Sequence, residues 1–225
     1  MARASKFFTQ EQRKEIADAV AEAESKTSAE IVPVVATDSG RYDRAEDSFG
    51  LVLGLLTLPV LWLLFEWHPD SQAQWGPQNP LNSILRLMLG VFGGYLVGAF
   101  AASRIGPLRR LFTTRREMYE EVESRAQETF FDQRIHHTKG GTGLLIYVSL
   151  YEHIAVVFAD EAVNAKLGQT VLDELCKTLT DNMHSGNPTL AFVATIRAAG
   201  EKLSKVMPRE SDDRNELPDA LVILD

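Results

Sequence analysis

Two uncharged apolar runs, Phe49–Phe65 and Leu87–Ser103, interrupt a chain that is otherwise polar and charged, and they limit what it can fold into. The first reads FGLVLGLLTLPVLWLLF and the second LMLGVFGGYLVGAFAAS. A bilayer core about 30 Å thick needs about 20 apolar residues at about 1.5 Å each, and the flanks bring both runs to that length. A core helix of a domain this size carries a polar face. Phe49–Phe65 has Thr57 as its one polar side chain, and Pro59 breaks a helix in water but is tolerated in a membrane. The second run carries Gly90, Gly93, Gly94 and Gly98, and the GxxxG spacings let another helix approach closely. The simplest partner is the first run, with Gly50 and Gly54; a homo-oligomer through Gly90, Gly94 and Gly98 is the alternative.

Basic residues set the expected orientation. The connecting stretch Trp67–Leu85 holds no Lys or Arg, whereas Arg41 and Arg44 precede the first run. Arg104, Arg109, Arg110, Arg115 and Arg116 follow the second. Both termini are therefore expected in the cytoplasm, with a multi-pass location in a bacterial inner membrane and the lipid bilayer as partner. Arg86, near the outer end of the second run, reaches that surface by snorkelling.

Mean hydropathy is −0.10 because very apolar and very polar segments cancel. Setting the hairpin aside leaves roughly 170 residues, enough for one domain with its own core. A net charge of −8 argues against nucleic acid as a partner. One cysteine, Cys176, permits no internal disulfide and reads as a small apolar residue on a helix. The first 48 residues show no signal-peptide core.

Thr9 and Gln12 form a capping-box pattern that opens a helix running to about Ser25. Glu30–Ala36 (EIVPVVA) reads as a strand, with Pro33 marking a free edge or a bulge. Glu117–Phe131 has helical spacing through Met118, Val122, Ala126 and Phe130. Leu144–Leu150 and Ile154–Phe158 read as strands joined by a tight turn at Tyr151–His153. Helices follow from about Asp160 to Met183 and from about Thr189 to Val206, split by the breaker His184–Pro188. This order predicts an α/β fold, with the first two strands as parallel neighbours across a right-handed crossover. The hairpin sits in that crossover helix.

Several of these segments resemble the TPM domain family, named for thylakoid, photosystem II repair and receptor-modulating members. They are Thr27–Val32 (TSAEIV), Thr142–Leu150 (TGLLIYVSL), Val156–Asp160 (VVFAD) and the helix pair ending at Gly200–Leu203 (GEKL). The ending Asp212–Asp219 (DDRNELPD) resembles the bacterial branch with a membrane hairpin. The resemblance implies a single TPM-like α/β sandwich with a two-helix transmembrane hairpin inserted in a crossover helix. It also implies an acid phosphatase activity or a divalent-metal site. Residues 1–47 and 104–225 would form the discontinuous cytoplasmic domain and residues 48–103 the hairpin. Its helices are expected at about 48–66 and 83–103, with an extracytoplasmic loop at about 67–82.

Hard cations such as Ca²⁺ or Mg²⁺ take carboxylate and carbonyl oxygens. The candidate ligands are Asp160 and Glu161, which follow a strand and open a helix, and Asp212, Asp213 and Glu216 in the acidic tail. Asp160 and Glu161 also have a structural reading, as acids favoured at a helix N-terminus. Gly140–Gly143 reads as a plain turn, because a P-loop's Lys and following helix are missing. His136 and His137 are adjacent and point apart on a helix, which argues against joint ligation. No Gly-x-Ser-x-Gly or His-Glu-x-x-His motif occurs, so no catalytic residue is assigned. The favoured function is a membrane-anchored binding or assembly module for other membrane proteins. The alternative is a metal-dependent phosphatase using metal-activated water. Convergence of Asp160, Glu161 and the tail acids in one cleft is the feature that separates the two.

Overall fold

The computed structural model describes residues 3–66, 80–105, 110–138, 140–210 and 215–225. The chain divides into two compact units, Met1–Gly40 with Met118–Asp225, and Arg41–Glu117.

The first unit is a mixed α/β structure around a four-stranded sheet. It begins with α1 (Ala4–Phe7) and α2 (Gln10–Glu24). At α2 the expected capping box is present: the Thr9 hydroxyl accepts from Gln12 N, and the Gln12 side chain accepts from Thr9 N at 2.8 Å. Strand β1 (Glu30–Ala36) follows, then, beyond the second unit, α5 (Arg115–Asp132), β2 (Gly143–Ser149) and β3 (Ile154–Ala159). Next come α6 (Glu161–Leu167), α7 (Gln169–His184), α8 (Pro188–Val206) and β4 (Val222–Leu224). The spatial order is β3-β2-β1-β4. β1 runs parallel to β2, with Glu30 opposite Gly143 and Ala36 opposite Ser149. It also runs parallel to β4, while β2 and β3 form an antiparallel hairpin.

Alternation along β1 and β2 builds a core on each face of the sheet. Ile31, Val35, Leu144, Ile146 and Val148 meet Ile16, Val20, Leu175, Leu179, Phe192, Ile196 and Leu203 from α2, α7 and α8. Val32, Val34, Leu145 and Tyr147 meet Val122, Ala126 and Phe130 of α5, and Ile135. Gly200 of α8 lets α2 come close, since a Cβ there would lie 2.7 Å from that of Ala23.

Two expectations need correction. The helix from Asp160 to Met183 is two helices, because Gly168 adopts φ +77° and its N–H closes α6 on Asn164 O at 2.9 Å. β1 is an interior strand, because β4 adds to it at Val34–Ala36. Pro33 is nevertheless accommodated. The N–H groups of Ile31 and Thr37 bond to Glu24 and to Leu224 O, so alternate residues from 31 to 37 face the β4 side. Pro33, with no N–H to offer, faces that side just before β4 begins.

The second unit contains α3 (Asp43–Leu61) and α4 (Pro80–Arg104). They pack antiparallel, with Gly50 and Gly54 of α3 interlocked with Gly98 and Gly94 of α4. A Cβ on Gly98 would sit 2.9 Å from Gly50 Cα, and one on Gly94 would sit 3.1 Å from Gly54 Cα. Gly90 faces Leu61, whereas Gly93 has nothing within 4 Å. The face considered for a homo-oligomer is therefore occupied within one chain. Thr57 donates to Gly54 O at 2.6 Å, so its hydroxyl is satisfied inside the helix. After Pro59 the helix loosens into a π turn, Trp62–Glu66, as expected where proline removes a ladder donor. Arg44–Leu64 and Ile84–Arg104 are each 21 residues long and apolar enough, by length and composition, to cross a membrane.

Candidate functional site

Polar residues gather at both ends of the sheet. At the carboxyl ends of β1 and β2, Ser39, Tyr147, Ser149 and Glu152 form a closed network. Tyr147 and Ser149 are two apart on β2 and so share a face. The Ser39 hydroxyl lies 3.0 Å from Tyr147 OH and donates to Ser149 Oγ at 2.9 Å. Ser149 in turn donates to Glu152, whose other oxygen accepts from Ser39 N at 2.9 Å. Tyr147, Ser149 and Glu152 are all buried. Burial, chiefly, pushes the Tyr147 phenol above its ordinary pKa, so it stays a neutral partner. Carboxyl ends of parallel strands are where α/β sheets present ligand-binding groups. Here those groups are engaged with one another, and they fix the chain at Ser39, where it leaves the sheet.

The acids lie at the opposite end. β3 runs antiparallel to β2, so its carboxyl end sits beside the amino ends of β1 and β2. Asp160 donates its backbone N–H to Gly143 O at 2.9 Å, and Gly143 stands opposite Glu30. Asp160 caps α6 by accepting from Glu161 N at 2.8 Å. Its Oδ2 is a buried atom without a hydrogen-bond partner, over Gly141, where an added Cβ would lie 3.3 Å away. Gly140 and Gly141 form the expected turn, with φ +88° and +64°. Glu161 is exposed. Asp212 and Asp213 lie outside the described residues. Glu216 contributes its backbone, donating N–H to Glu30 Oε1 at 3.1 Å.

A buried carboxyl, Glu24, is not among the expected ligands. Glu24 ends α2 and is only 9% exposed. Its Oε1 accepts from Ile31 N at 2.8 Å, closing the stretch of β1 that β4 does not cover. Its Oε2 is buried with no donor. Glu30, 6% exposed, and Asp219 are its charged neighbours. Burial, above all, raises the Glu24 carboxyl to about 8; the Ile31 bond pulls it down, and Glu30 and Asp219 add to the rise. A Glu in an amphipathic helix reads as solvated. The one local signal is its seven-residue separation from Ile31, and Asp219 arrives from the far end of the chain.

Among the described residues, no three His, Cys, Asp or Glu side chains are arranged to hold a metal ion. His136 and His137 lie in a short 3₁₀ turn with ring centroids 4.2 Å apart, and His136 meets Phe131 edge-to-face at 4.9 Å. Cys176 is half-buried, donates to Ala155 O at 3.2 Å, and is raised in pKa chiefly by burial. It is a packing residue.

The fold is similar to that of the BA42 protein from the psychrophilic bacterium Bizionia argentinensis, solved by NMR. The TM-score is 0.57 with 19% sequence identity, over 99% of each chain. That likeness concerns the fold. No protein-family model matches the chain, and no curated protein matches it.

Proposed function

We propose that this chain is a membrane-anchored binding or assembly module: a bacterial inner-membrane protein whose helical hairpin holds a TPM-like α/β domain at the cytoplasmic surface. One observation carries the reading. Within Arg44–Leu64 and Ile84–Arg104, only 11% and 6% of the apolar stretch is buried. The large side chains Leu51, Leu55, Leu56, Met88, Phe92 and Val97 all point outward from the glycine seam. An apolar surface of that extent is unstable in water at about 25 cal/mol per Å² and is what lipid covers. At about 1.5 Å per residue each helix reaches about 31 Å, matching a bilayer core. The Tyr95 hydroxyl donates to Asp47 at 2.7 Å, so a carboxylate near the start of one span has a partner on the other helix.

The arginine asymmetry favours both termini in the cytoplasm. The domain would then act on other membrane proteins through its surface, since the polar groups at the carboxyl end of its sheet are bound to one another. The first test is extraction of membranes at alkaline pH. The chain should stay in the pellet, and the double variant Leu56→Arg with Val97→Arg should move to the supernatant or fail to accumulate. Full release of the unsubstituted chain would overturn the anchor.

A further inference from the structure

We propose that Glu24 is a proton-operated latch on the C-terminal arm, residues 215–225. Its buried carboxyl, set against Asp219 and Glu30, holds the arm on β1 while protonated and releases it on ionisation. The arm reaches β1 at three places. Glu216 N bonds to Glu30 Oε1, β4 pairs with Val34–Ala36, and Thr37 N bonds to Leu224 O at 2.8 Å. The last residue closes the far end: Asp225 accepts from Ser5 N at 3.0 Å and from the Thr37 hydroxyl at 2.9 Å. Leu217 and Leu221 contribute to the two cores. The amino end of the arm, by contrast, is held at a cluster of carboxyls.

In that cluster Glu24 Oε1 is used by Ile31 N, and Oε2 has no donor facing it. An orphaned buried oxygen beside another carboxylate is resolved by one proton. Protonated at Oε2, Glu24 donates to the carboxylate of Asp219, the arm residue that acts on it. Among the described residues, the charged groups acting on Glu24 are Glu30 from β1 and Asp219 from the arm, both acidic. Lys26, the nearest base along the chain, is paired with Glu22 at 2.9 Å. Loss of the proton to solvent removes the bond to Asp219 and leaves like charges side by side, with Glu24 and Glu30 both buried, where they repel. The arm is the movable member, since β4 pairs with only Val34–Ala36, whereas Glu30 lies in β1, paired with β2 along its whole length, and Glu24 ends α2. A carboxyl raised to about 8 places the change just above neutrality.

The test is hydrogen exchange of the full chain in detergent micelles, with a chelator present, at about pH 6 and about pH 9.5, corrected for intrinsic exchange rates. The arm amides Glu216, Val222 and Leu224, and Thr37, should lose about tenfold in protection at the higher pH, while amides in the middle of α8 should not. Glu24→Gln keeps the acceptor for Ile31 and supplies a fixed donor to Asp219, so its arm should be equally protected at both values. Should that variant not fold, Asp219→Asn decides: the Glu24 carboxyl, followed by carbon NMR, should titrate lower than in the unsubstituted chain. Unchanged arm protection in the unsubstituted chain would overturn the latch. So would a Glu24→Gln arm that loosens with pH as the unsubstituted one does, or an unmoved Glu24 midpoint in Asp219→Asn.

Discussion

Substituting Gly98 by Ala tests the seam that makes α3 and α4 a hairpin. The new Cβ would lie 2.9 Å from Gly50 Cα and 3.0 Å from Leu53 Cβ. Carbon atoms rest at about 3.5–4.0 Å, so the helices must part by about 0.5–1 Å at this crossing. A gap of that size forfeits about a quarter to a half of each dispersion contact it opens, and the Gly50 backbone cannot swing aside as a side chain would. Overpacking of this kind costs about 1–3 kcal/mol. Gly93→Ala is the matched control, because Gly93 lies on the same helix with nothing within 4 Å. It adds the same methyl and the same gain in helix propensity. The assay is unfolding of the full chain by sodium dodecyl sulfate in mixed micelles, followed by circular dichroism. Gly98→Ala should unfold at a lower detergent fraction than Gly93→Ala. Equal midpoints would refute the close approach of Gly98 to Gly50.

Stability should fall as pH rises through the Glu24 window. With the folded-state carboxyl at about 8 against an ordinary 4.5, its contribution is complete below 4.5, is lost progressively from 4.5 to 8, and is absent above. The span corresponds to about 4–5 kcal/mol at most, and denaturant titrations at several pH values should show Glu24→Gln without that slope. Phe192→Ala removes a fully buried ring that meets Phe8 edge-to-face at 5.8 Å, so urea unfolding should register a loss of about 3–5 kcal/mol. Asp160→Ala removes the α6 cap and should cost about 1 kcal/mol in the same assay, whereas Asp160→Asn keeps an acceptor and should cost less.

The sheet was readable where local chemistry decides it. β1, β2 and β3 are β-branched apolar runs bounded by turns, and the parallel pairing of β1 with β2 follows from the crossover rule. The hairpin seam was readable from its glycines. β4 was not, because three residues at a sheet edge carry too little pattern. Gly168 carries no break signal, because a single glycine inside an apolar periodicity is compatible with a continuous helix; its positive φ ends α6. Asp160 was recognisable as a helix-opening acid. Its place in the sheet depended on the antiparallel sense of β3, which put it at the amino ends of β1 and β2. Glu24 carries no such signal, because its burial comes from an arm near the other end of the chain. The Ser39–Tyr147–Ser149–Glu152 network, likewise, needs the β1–β2 register to exist.

Cysteine accessibility in intact cells tests the membrane account most directly. In a Cys176→Ser background, one reporter is placed at Gln74, between the two apolar helices, and another at Ser185, exposed in the sheet-bearing unit. An impermeant maleimide should label the Gln74 reporter in intact cells and the Ser185 reporter only after the cells are opened. Labelling of Ser185 in intact cells with Gln74 protected, or protection of both until lysis, would contradict a hairpin that crosses the membrane with both termini inside.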